Sequence, residues 1–167
     1  MASTKLEYAA SSALTITLAS LASSSTWTSG RQATAVDNTT NKYLDYLLAG
    51  LVTVGTSPTS GTEIRVYVVA LRDDSTWPDA VGATDAAWSS SSEGTRDGYV
   101  KLAAALRVDS TTSNRGYSFG PVSVASLFGG SCPKKFTVVV AHNTGVALNA
   151  TGGNHGIAIT PVFATVA

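Results

Sequence analysis

The stretch Lys134 to Ala167 limits the fold more than any other part of the sequence. Lys134-Lys135-Phe136-Thr137-Val138-Val139-Val140-Ala141 is dense in the β-branched and aromatic residues that strands favour. His142-Asn143-Thr144-Gly145 follows as a turn-rich run, and Val146-Ala147-Leu148 as a short apolar piece. Asn149 to Gly156 then supplies the asparagines and glycines of tight turns. Ile157 to Val166 closes the stretch as another strand. Two long strands joined through a short one require earlier strands to pair with and a second sheet to cover them. The expected fold class is therefore all-β, a two-sheet antiparallel β-sandwich.

The upstream chain offers those strands. Met1 to Ser12 is short of large apolar residues and reads as an N-terminal arm, which leaves residues 13–167 as a single sandwich domain. Ala13 to Leu21 sets Leu14, Ile16 and Leu18 against Thr15 and Thr17, the alternation of a half-buried strand. Leu21 to Gly30, with Trp27, reads as a loop or one helical turn, and Gln32 to Asp37 as a strand. Lys42 to Val54 is a long strand with a bulge at Gly50. A helix over Tyr43 to Leu51 competes with that reading, but β-branched Val52-Thr53-Val54 opposes extending it. Glu63 to Leu71 alternates most clearly, with Ile64, Val66 and Val68 on one face and Arg65 and Tyr67 on the other. Residues 73–98 lose all periodicity and read as one long loop, of a length that compact domains carry mainly when the loop has a task. Tyr99 to Val108 and Tyr117 to Val124 return to strand patterns. The total is about eight strands and no helix, as in a jelly-roll-like sandwich.

Composition narrows the function classes. Only 13% of residues are charged, and formal net charge is zero; ordinary usage is about 25%. Electrostatics gives no support for a nucleic-acid or anionic-membrane partner. Ser and Thr make up roughly a quarter of the chain. A surface so poor in charge is prone to associate, so either its hydroxyls keep it wet or, the favoured reading, neighbouring subunits cover much of it. No run approaches the roughly 20 apolar residues of a membrane span. Leu14-Thr15-Ile16-Thr17-Leu18 is too hydroxylated for a signal core. The chain reads as one made in a reducing cytoplasm.

Motifs that carry chemistry are sparse. The single Cys132 excludes an internal disulfide and reads as a small, partly buried residue before Pro133, despite Lys134 and Lys135 nearby. His142 and His155 lie in turns, and neither shares a metal-ligand spacing with Asp37, Asp45 or Glu63. The Gly-x-Ser-x-Gly elbow is missing, and Gly152-Gly153 is not followed by the lysine of a phosphate loop. No enzyme activity, cofactor or metal is expected. Trp27, Trp77 and Trp88 differ from ordinary core tryptophans because they sit in polar segments. They either cap the ends of the sandwich or act as interface anchors, a role in which indoles are enriched.

The run Phe119-Gly120-Pro121-Val122-Ser123-Val124-Ala125-Ser126-Leu127-Phe128-Gly129-Gly130, with His142-Asn143-Thr144-Gly145 and Leu148-Asn149-Ala150-Thr151-Gly152-Gly153-Asn154, resembles a family of small virion proteins of tailed bacteriophages. The resemblance extends back through Gly61 to Val68 to about Trp27. Within phages, a charge-poor sandwich of this size is similar to capsid decoration, or cement, proteins. The resemblance implies a structural protein located on the outer capsid surface of the virion. Its implied partners are the major capsid protein and further copies of itself, as a homotrimer. The alternative is a tail-associated receptor- or carbohydrate-binding module, in which loop tryptophans stack on sugars.

Overall fold

The computed structural model describes residues 3–166; Met1 and Ala2 of the expected arm, and Ala167, lie outside the described residues. The strands are β1 (Thr4–Tyr8), β2 (Ser12–Ala13), β3 (Ser29–Gln32), β4 (Val36–Asp37), β5 (Asp45–Thr53), β6 (Glu63–Ala70), β7 (Ala86–Ser89), β8 (Lys101–Arg107), β9 (Gly116–Ser123), β10 (Lys135–His142) and β11 (Gly156–Val166). Two short helices, α1 (Glu93–Tyr99) and α2 (Val124–Leu127), interrupt them.

The strands form two antiparallel sheets. One runs β1-β11-β5-β9, with β2 also on β11; the other runs β7-β3-β10-β6-β8, with β4 also on β10. Taking β1/β2 and β3/β4 each as one interrupted strand and setting β7 aside leaves eight principal strands. Four lie in each sheet, in the crossing order of a jelly roll. The expected architecture is therefore present, with eleven strands where about eight were read.

The main core lies between the sheets, where alternate residues point inward. Tyr46, Leu48 and Val52 of β5, with Ile157 and Ile159 of β11, meet Ile64, Val66 and Val68 of β6 and Phe136, Val138 and Val140 of β10. The Gly50 bulge is present: the β5–β9 register slips between Leu48 and Gly50. A Cβ there would lie 2.6 Å from the Gly156 carbonyl oxygen and 2.8 Å from the Phe119 ring, so only glycine fits.

Four local expectations need correction. Ala13 to Leu21 is not a strand beyond Ala13. It crosses from one sheet to the other, its Leu14 N–H bonded to Ile157 and its Thr15 carbonyl to Thr34. Its alternation persists because Leu14, Ile16 and Leu18 still pack on the core as it crosses. Thr4–Tyr8 is not a loose arm but a strand, antiparallel to β11 from Thr4↔Val166 to Tyr8↔Val162. Residues 73–98 contain β7 and most of α1. Finally, helices occur where none was read. Ser92 caps α1 by accepting from the Thr95 N–H, and Ser123 caps α2 by accepting from the Ser126 N–H.

Candidate functional site

The residues 73–98 segment does not project from the sandwich. It folds back over the outer face of the β7-β3-β10-β6-β8 sheet and builds a second core there. Tyr67 and Val69 of β6, Val139 and Ala141 of β10, Trp88 of β7, Val81 and Val100 are buried together, with Trp27, Trp77 and Tyr99 packed against them. The structure thus gathers all three tryptophans into one cluster.

Their roles differ. Trp88 is 1% exposed, so its reading as an interface anchor is overturned. It extends the core, because β7 adds to the edge of the sheet and turns its indole under the segment. Trp27 is half-buried beneath the Arg65 guanidinium, which lies 3.8 Å from the ring centroid. Trp77 is half-buried at the margin of the cluster. The ring nitrogens of Trp27 and Trp88 and the Tyr67 hydroxyl are buried without a hydrogen-bond partner among the described residues.

Polar side chains hold the cover down. Asp85 accepts from the Thr17 N–H at 3.2 Å and the Thr17 hydroxyl at 2.6 Å, and pairs with Arg31 Nε at 2.5 Å. Gln32, itself buried, donates to the Thr84 carbonyl and accepts from the Gly82 N–H. Asp79 accepts from Ser90 and from the Ser91 N–H. Arg96 of α1 is 4% exposed and donates to the Thr26 carbonyl at 2.5 Å and to Asp97 at 2.8 Å.

The histidines are committed in the same way. His142 is buried, and its Nε2–H donates to the Leu21 carbonyl at 3.0 Å. Nδ1 lies 3.0 Å from the Thr144 hydroxyl, which itself donates to the Val146 carbonyl at 3.0 Å. Burial pulls this imidazole below its ordinary value, with the Leu21 bond opposing the shift. His155 accepts from the Thr53 N–H through Nδ1 and donates to the Asn149 carbonyl through Nε2. Burial pushes the Cys132 thiol up to about 11, as suits a packing residue. Among the described residues, no group of three His, Cys, Asp or Glu side chains is placed to hold a metal ion, and no helix is long and apolar enough to cross a membrane.

The unsatisfied surface is elsewhere. β5 pairs with β11 only as far as Val162. Beyond it, Phe163–Val166 and Thr4–Glu7 continue as a two-stranded ribbon. Its outer face aligns Thr4, Leu6 and Tyr8 with Val166, Ala164 and Val162. Leu6 is 65%, Tyr8 64% and Val166 75% exposed, the three highest values among large apolar side chains of the described residues. Alternation in Lys5-Leu6-Glu7-Tyr8 is the sequence signal that reveals this strand.

No family model matches the chain, and no curated protein and no solved structure shows significant similarity to it.

Proposed function

We propose that this chain is a structural protein of a phage virion, a decoration protein that binds the outer surface of the capsid and reinforces contacts between major capsid subunits. The observation that carries the reading is the commitment of its chemistry-bearing side chains to the fold. His142, His155, Asp79, Asp85 and Arg96 all hold loops in place. Such a molecule acts through a rigid shape and a surface. That surface combines low charge with exposed apolar side chains, a combination suited to contact with other subunits. The jelly roll serves capsid proteins and lectins alike, so fold alone does not choose between shell and tail. Two of the three tryptophans disfavour the tail reading: Trp88 is buried and Trp27 lies under Arg65, which leaves only the half-buried Trp77 to meet a sugar ring. On the shell, copies group as trimers around local threefold axes.

Gel densitometry of purified particles tests this. A decoration protein is present at a level comparable to the major capsid protein. A minor band at the level of tail components would overturn the shell assignment.

A further inference from the structure

We infer that the ribbon edge is a self-pairing surface, on which β1 of one copy pairs antiparallel with β1 of a second copy about a twofold axis through Leu6. The argument starts from the backbone. The Ala9 N–H donates to the Pro161 carbonyl at 3.0 Å. In an antiparallel ladder, bonding to a given neighbour alternates along the strand. Lys5, Glu7 and Ala9 therefore turn their backbone groups toward β11, in the register Lys5↔Thr165 and Glu7↔Phe163. Thr4, Leu6 and Tyr8 turn theirs outward, where no strand meets them among the described residues. An open edge of this kind is a template for another strand.

The side chains select the occupant and the register. Pairing centred on Leu6 sets Thr4 against Tyr8 of the second copy, Leu6 against Leu6, and Lys5 against Glu7 in both directions. Every outward N–H and C=O of Thr4, Leu6 and Tyr8 then finds a partner. Both opposite-charge pairs fall on one face, and Leu6 and Tyr8 of the two copies fall on the other. Centring on Lys5 would oppose two lysines, and centring on Glu7 would oppose two carboxylates; like charges directly across a ladder are unfavourable. A shift of one residue would turn unmatched backbone groups toward each other. The five residues thus complement themselves in one antiparallel register. The contact is isologous, as a twofold requires. It joins two sheets into one that runs β9-β5-β11-β1 and back in the second copy. On a shell of threefold groups it would link copies from neighbouring groups, so it goes beyond attachment to the capsid.

The test uses the full chain in a Cys132→Ser background. Lys5→Cys and Glu7→Cys chains, mixed and oxidised, should give a disulfide-linked dimer far faster than either chain alone, because residues 5 and 7 face each other only across the axis. In sedimentation experiments, Lys5→Glu and Glu7→Lys should each weaken dimerisation by about tenfold. Mixing those two chains should restore it, since each then meets its opposite charge. Equal cross-linking in unmixed chains, dimerisation indifferent to either reversal, or a wild-type chain that stays monomeric at all concentrations would overturn the inference. Mixed cysteine chains that decorate particles but show no residue 5 to residue 7 cross-link would overturn this contact while leaving the virion reading intact.

Discussion

Trp88 stands directly across from Gly30 in the β3–β7 ladder. Gly30 has no room for a side chain, since a Cβ there would lie 2.2 Å from the Val140 carbonyl oxygen. The large ring and the bare backbone are neighbours in one small structure: the edge of the second sheet and the cover folded over it. That structure turns a segment of weak propensities into part of the core.

Trp88→Ala should destabilise the isolated protein by about 3–5 kcal/mol, the usual cost of deleting a large buried aromatic. Trp77→Ala, at the half-buried margin, should cost a fraction of that. Denaturant titration of both variants measures the difference. Equal, small effects would show that Trp88 is not a core residue.

Asp85→Ala removes the acceptor for two Thr17 donors and the partner of Arg31. Because the pair is partly solvated, the expected loss is modest, about 1–3 kcal/mol. The loss should be local. Hydrogen exchange should quicken in residues 81–89 while β10 keeps its protection. Uniform quickening would mean that the cover and the sandwich unfold as one unit.

His142 predicts a pH dependence. Its folded-state pKa lies below the ordinary value of 6.5, so the unfolded chain takes up the proton first as pH falls. Stability is full above about pH 7, declines below about 6.5, and stops declining once the folded state is protonated as well. His142→Gln should flatten the slope between about pH 7 and 5 relative to wild type, whatever its effect on absolute stability. An unchanged slope in thermal unfolding would refute this.

Cys132 should react slowly with thiol reagents. Moving its pKa from 9.0 to about 11 cuts the thiolate at about pH 8 roughly a hundredfold. Labelling kinetics of native against urea-unfolded chain gives the comparison. Equal rates would contradict the burial of the thiol.

The jelly roll is legible where the sequence alternates over many residues. Glu63 to Ala70, Lys135 to His142 and Gly156 to Val166 each announce a strand whose inward face can be named in advance. The cover is not legible, because its elements are held by distant contacts. α1 contains two glycines, and its local support is little more than the Ser92 cap and Glu93 in the first turn. What fixes it is Arg96 reaching the carbonyl of Thr26, 70 residues earlier. Trp88 was hidden by its polar neighbours: β7 is only four residues long, too short for its buried Trp88 to establish a period. β1 was hidden for a different reason. Its alternation is visible, but an edge strand exposed on all five residues lacks the apolar density that marks a strand for burial.

The cover also bears on how this sequence can drift. By sealing the second face of its sheet, it buries β10 on both sides, so that Phe136 through His142 are all inaccessible. Each of those positions can exchange only for a residue of similar volume and polarity. Most outward positions of β5, β9 and β11 are partly or fully exposed and are less restricted. Descendants of one ancestral chain would therefore diverge fastest on the uncovered sheet and keep the Lys135–His142 run longest, as the last recognisable trace of kinship.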